Sequence, residues 1–236
     1  MNKLIVLGPT QDVESFVDKS KDKFSFAAYL PMPEPLEPTT FPTGEFGQTE
    51  EAAQLRELYG TDNWYDWRLA NWGTKWDAYG DPAWQHLLEY DEGRSTNEVF
   101  FDTAWSPPIE FLKRISEQYL TIKFILKFAE PGNDFAGHVE VKQGDVEVIA
   151  EGEYFCKDTI YILDTLGLWD DVEEHFYNFA LEILEEEEPH APEGLKEEFK
   201  RWCLERVLAH THPPQTVKEN FKDLVQQAVD TYANHT

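Results

Sequence analysis

The chain opens on a short apolar run, Lys3 to Leu7, which Gly8-Pro9 brings to a stop. Val13, Phe16 and Val17 then recur at helical spacing. The pattern predicts a strand followed by a helix from about Gln11 to Ser20, with Thr10 as its N-cap. Phe24 to Tyr29 reads as a second strand. Pro31, Pro33, Pro35 and Pro38 follow closely, and neither a helix nor a central strand survives that density of proline, so 31–48 is an irregular excursion. A short helix is expected over Thr49–Tyr59, capped by Thr49, with Ala53, Leu55 and Leu58 inward. Trp84 to Tyr90 reads as a helical turn and Glu98 to Trp105 as a strand. Pro107-Pro108 opens a helix at the position where a missing N–H costs least, and Ile109, Leu112, Ile115 and Tyr119 keep the helical period. Leu120 to Phe128 is strand-like. Ala136–Val141 and Val146–Tyr154 read as a hairpin around Gln143-Gly144-Asp145.

The remainder is helical in pattern. Asp171–Glu186, Glu193–Ala209 and Gln215–Tyr232 are amphipathic stretches separated by Pro189, Pro192 and Pro213-Pro214. The expected class is α+β: a split βαβ sheet of the ferredoxin-like order over 1–155, with an insertion at 31–95 and an extra edge hairpin. Residues 156–236 are expected to form a helical extension packed on it.

One segment stands out. Asn63-Trp64-Tyr65-Asp66-Trp67-Arg68-Leu69-Ala70-Asn71-Trp72-Gly73-Thr74-Lys75-Trp76-Asp77 carries four of the eight tryptophans of the chain. It resembles the W-Y-x-W-R … N-W-G-T-K-W signature of the YubB-type ferredoxin-like proteins of bacteriophages and conjugative plasmids. The opening strand, the proline-rich stretch and the Trp105-Ser106-Pro107-Pro108 helix start fit the same pattern. The resemblance covers about residues 1–155 and implies a ferredoxin-like fold and a mobile-element context. It implies no activity, because the family has no agreed one. Two cysteines, Cys156 and Cys203, cannot supply the four thiolates of an iron–sulfur cluster.

Charge sharpens the picture. Forty-six acids face twenty bases, a net charge of −26. Between Phe128 and Leu195 there are 19 acids, with Lys142 and Lys157 as the bases. Such a field repels nucleic acid and anionic membranes and draws in basic partners. Solubility is the simpler account of the same acidity. The opening apolar run is too short for a signal peptide or a membrane span, so a cytoplasmic protein with reduced thiols is expected.

Two sets of residues are candidates for function. In the first, Trp64, Tyr65, Trp67, Trp72 and Trp76 would stack on a base or sugar while Arg68 and Lys75, with Asn71, hold a phosphate or carboxylate. The competing account is structural: indole rings pin a long insertion to the sheet, and Arg68 pairs with Asp66 or Asp77. In the second, Asp170, Asp171, Glu173, Glu174, Glu182, Glu185, Glu186, Glu187 and Glu188 lie on or near one expected helix, and would stand where phosphates stand in a partner's basic groove. The competing account is a solvated helix face. His210 and His212 have no metal-site spacing, and neither a nucleophile motif nor a nucleotide loop is present in the sequence. No cofactor or metal is expected. The leading expectation is an accessory protein that binds a basic, nucleic-acid-binding host protein. A small-ligand or nucleotide binder is the alternative, and an enzyme of unassigned activity the third.

Overall fold

A computed structural model of the chain describes residues 1–91, 93–154 and 159–168. The chain divides into two compact units, Met1–Ala150 and Glu151–Thr236.

The first unit is built on a sheet. Strand β1 (Asn2–Pro9) is followed by helix α1 (Thr10–Asp18), an excursion containing α2 (Glu50–Tyr59) and α3 (Trp64–Trp72), and the strands β2 (Trp84–Asp91) and β3 (Arg94–Phe101). Helix α4 (Ile109–Ser116), β4 (Lys123–Glu130) and β5 (Phe135–Lys142) follow, and β6 (Asp145–Gly152) completes the sheet, its last two residues belonging to the second unit. The strand order is β2-β3-β1-β4-β5-β6. β1 pairs antiparallel with β3 (Leu4 opposite Val99) and with β4 (Leu4 opposite Leu126). Four strands in the order β2-β3-β1-β4, with α1 and α4 as the two crossovers, make the split βαβ arrangement of a ferredoxin-like fold. The β5–β6 hairpin extends the β4 edge, turning through Gln143 and Gly144. Both have positive φ, as a two-residue turn matched to strand twist requires.

Alternation places the core on one face. Leu4 and Val6 of β1, Val99 and Phe101 of β3, Phe124, Leu126 and Phe128 of β4, and Val139 and Val141 of β5 are buried. Val13 and Phe16 of α1 and Phe111, Leu112 and Ile115 of α4 join the same cluster. The middle of this core is aromatic. Phe16 stacks on Tyr29 at 4.4 Å between ring centres and meets Phe124 edge-on at 5.3 Å. Phe24 and Phe26 contact each other and Phe101.

Several elements differ from the sequence expectation. Phe24–Tyr29 is not a strand. It holds a one-turn 3-10 helix, Phe26–Ala28. The alternating Phe24 and Phe26 imitate a strand, but the amides of Phe26 and Ala27 bond to the carboxylate of Asp77, about fifty residues away in the chain, and that of Phe24 to Pro82 O. The second strand of the fold is instead Trp84–Asp91, where a helical turn was expected. Trp84 packs edge-on against Phe16 and Phe24, and its indole N–H donates to Ser20 Oγ at 3.2 Å. The excursion therefore lies inside the first βαβ half and not between the halves. Thr10 is the first residue of α1 and not its cap; Pro9 precedes it and Thr10 N donates to Gly93 O. In α2 the buried positions are Ala52 and Leu55, whereas Ala53 and Leu58 face solvent. Thr49 caps that helix as expected, accepting from Ala52 N.

Of the second unit, Glu151–Tyr154 and Thr159–Leu168 are described, including α5 (Ile160–Thr165). Thr159 donates to Glu153 O, and Tyr154, Ile162, Leu163 and Leu166 are buried. The three amphipathic stretches expected beyond Asp171 lie outside the described residues.

Candidate functional site: the tryptophan helix

The Trp-rich segment is one helix and its exit. Asn63 caps α3: its side-chain oxygen accepts from Asp66 N at 2.9 Å and its amide donates to the Asp66 carboxylate at 2.8 Å. Gly73 ends the helix at φ +78, the left-handed conformation that glycine adopts without a Cβ penalty. A Cβ there would also sit 3.2 Å from Pro107 O, so the turn and the start of α4 are in close approach.

Helical spacing divides the aromatic residues. Trp67 and Trp72 face inward, edge-on to each other at 5.8 Å, and Trp72 donates to Leu30 O at 2.9 Å. Trp64 and Tyr65 turn towards the proline-rich excursion: Trp64 N donates to Thr39 Oγ1, and Tyr65 stacks on Phe41 at 4.3 Å. Asn71 donates back to Trp67 O within the helix. Trp76 lies beyond the helix, half exposed, with Lys75 over its ring at 4.9 Å. Asp77 is occupied by Ser25 Oγ and the amides of Phe26, Ala27 and Ala78.

Arg68 sits between two indoles. Its guanidinium carbon is 5.1 Å from the Trp64 ring and 5.1 Å from the Trp72 ring. The Nε is buried with no hydrogen-bond partner, and one terminal nitrogen reaches Lys75 O at 3.5 Å. Burial lowers the Arg68 pKa, while Asp77 and Glu37 oppose that shift. The ion pair expected with Asp66 or Asp77 is not formed at contact distance among the described residues: Asp66 bonds Asn63 and Asp77 caps the 3-10 turn.

The structure thus gathers Trp64, Arg68 and Trp72 into one stack, takes Trp67 into the core and Tyr65 onto the excursion, and leaves Lys75 and Trp76 at the helix exit. Asp170, Asp171, Glu173, Glu174, Glu182 and Glu185–Glu188 lie outside the described residues.

Two features escape sequence reasoning. Trp105 holds φ +70 and is 68% exposed. The turn around it is pinned: Thr103 Oγ1 donates to Ser106 O, Asn2 donates to Thr103 Oγ1, Ser106 Oγ donates to Gly73 O, and Thr74 Oγ1 bonds Ala104 in both directions. A bulky residue at positive φ is a backbone outlier that needs such support. The second feature is β6, whose Val146, Val148 and Ile149 are exposed; apolar alternation in sequence does not say which strand ends the sheet.

No helix among the described residues is long and apolar enough to cross a membrane. No curated protein matches the chain. Among solved structures there is a match to the crystal structure of the protein api92 from Yersinia pseudotuberculosis, at 23% identity and a TM-score of 0.30, over 38% of this chain and 29% of that one. Residues 72–165, from the last turn of α3 through the β5–β6 hairpin to α5, match the family described as the ferredoxin-like domain in Api92-like protein.

Proposed function

We propose that this protein is a non-catalytic accessory protein acting by stoichiometric contact with a basic, nucleic-acid-binding partner. The observation that carries the reading is the charge: −26 over 236 residues, with 19 acids against two bases from Phe128 to Leu195. A field of that sign speeds encounter with a cationic surface and opposes binding to phosphate. The resemblance to YubB-type proteins supplies the context of a phage or mobile plasmid, in which the partner is a protein of the host cell, such as a component of its defence. Contact then inhibits by filling a groove meant for nucleic acid, with Asp170, Asp171, Glu173, Glu174, Glu182 and Glu185–Glu188 in place of phosphates. The test is capture from host lysate at low and high salt, with bound proteins identified by mass spectrometry. A dominant basic protein is expected at low salt, displaced by duplex DNA and lost when Glu173, Glu174 and Glu185–Glu188 are changed to Gln. Undiminished capture by that variant overturns the reading.

A second reading has its own support. Arg68, held between Trp64 and Trp72 with an unbonded Nε, is a ready partner for an anionic or planar small ligand such as a nucleotide. Tyr65, Trp67, Asn71, Lys75 and Trp76 surround it in sequence. Titration of tryptophan fluorescence with nucleotides tests it. An unchanged signal, with Arg68→Ala affecting stability alone, removes this reading.

A further inference from the structure

The two ends of the sheet differ. At one end, β2 meets β3 with register shifts between Leu87 and Glu89 and between Glu89 and Asp91. Such irregularities twist an edge away from further pairing. At the other end, β6 is eight residues long and free of proline, and nothing pairs with its outer side among the described residues. Its apolar side chains are not sheltered: Val146, Val148 and Ile149 are 38, 56 and 45% exposed. Asp145 and Glu147, both exposed, alternate with them, and neither makes an ion pair among the described residues. Lys142, at the end of β5, is the nearest cation in sequence; Lys123, across the groove beside β6, is already paired with Glu140.

An open edge of this kind takes either a copy of itself or a strand from another chain. The charge pattern disfavours the first. Antiparallel pairing of β6 with its own copy about Val146 sets Asp145 opposite Glu147. About Glu147 it sets Glu147 opposite itself, about Val148 it sets Asp145 opposite Glu151, and about Ile149 it sets Glu147 opposite Glu151. Each of these registers opposes like charges, which destabilises the pair; the register about Ala150 opposes none but pairs only 148–152. A strand with Lys or Arg at those positions and β-branched residues between them reverses the sign of each contact.

We propose that β6 is the docking edge for an extended segment of another protein in which basic and apolar residues alternate. The segment adds a seventh strand to the sheet, its cations opposite Glu147 and Asp145 and its apolar side chains on Val146 and Val148. The inference rests on the reading above for the sign of the partner's charge, and adds the mode of contact.

The probe is an end-blocked octapeptide of alternating Lys and Val, with a Glu-Val octapeptide as control. It is added to the full chain, and hydrogen exchange is followed along the backbone. The Lys-Val peptide is expected to protect alternate amides over 145–150, and the Glu-Val peptide to protect none. Glu147→Lys should weaken the first peptide by about fivefold or more and confer binding of the second. Of the neighbouring positions Val148 and Ile149, one directs its N–H outward, so proline is placed at each in turn. The variant that keeps its near-ultraviolet tryptophan spectrum should lose the protection. Protection spread over other segments and indifferent to Glu147→Lys would mean charge attraction alone and overturn the proposal, as would a peptide-free dimer with β6 already protected. If lysate capture succeeds and is untouched by the β6 variants, the docking edge is wrong and the basic-partner reading stands. If the peptide docks and lysate capture fails, the reverse holds.

Discussion

At the scale of single residues, buried polar groups set the measurable sensitivities. His138 of β5 lies opposite Lys127, with Lys123 and Glu140 also in range. Burial lowers its pKa, Lys127 and Lys123 add to the shift, and Glu140 opposes it. The folded state therefore favours the neutral ring, whereas the unfolded chain takes up its proton near pH ~6.5. The resulting stability is present above that pH and is lost as pH falls through the depressed folded value. Chemical denaturation between pH 7.5 and 5 should show the decline, and His138→Gln should flatten it. Trp72→Phe removes the donor to Leu30 O and leaves that carbonyl unsatisfied, at an expected cost of about 1–3 kcal/mol. Gly137 is constrained for a different reason. A Cβ there would lie 2.3 Å from the Phe128 ring, so Gly137→Ala must displace a buried aromatic, and a loss of about 1–3 kcal/mol in urea unfolding is expected.

At the scale of elements, α3 is defined by its two ends. Asn63→Ala removes the side-chain acceptor for Asp66 N and should cost about 1 kcal/mol, with Asn63→Asp retaining most of the stability. Elements whose signal is local were legible in the sequence. The Pro107-Pro108 helix start, the Gln143-Gly144 turn, the Thr49 cap and the β1 alternation are each decided by a few adjacent residues. The misreadings at Phe24–Tyr29 and Trp84–Tyr90 share one cause. Phe24 and Phe26 have the spacing of a strand, but the partner that satisfies their backbone is Asp77, and no window around residue 26 contains it. Trp84–Tyr90 reads as a helical turn from its own residues, although the Trp84 ring belongs to the cluster of Phe16 and Phe24. The same limit applies to Arg68. Its nearness to carboxylates in sequence suggests an ion pair, yet Asp66 and Asp77 are committed elsewhere, and helical spacing delivers Trp64 and Trp72 to its two faces instead.

At the scale of the whole molecule, the dominant quantity is net charge. With 46 acids and 20 bases, self-repulsion opposes compaction and is screened by salt. The chain should therefore unfold at higher temperature in 0.5 M than in 0.02 M sodium chloride, read by near-ultraviolet circular dichroism. Contact with the proposed basic partner should weaken over the same range. That opposition separates a loss of binding from a loss of fold: raising salt should strengthen one and dissolve the other.

The position of β1 between β3 and β4 governs how the protein is made. Asn2 pairs with Phe101 on one side and Phe128 on the other. At about 5–20 residues per second of synthesis, the first strand therefore spends several seconds outside the ribosome before either partner has been translated. During that interval Leu4 and Val6, and Val13 and Phe16 behind them, have no sheet to cover them. The β5–β6 hairpin, in contrast, closes as soon as its turn emerges. Nascent chains should thus be most vulnerable to proteases and most dependent on chaperones until about residue 130 has left the exit tunnel, and assembly should finish by admitting the oldest strand into the middle of the sheet.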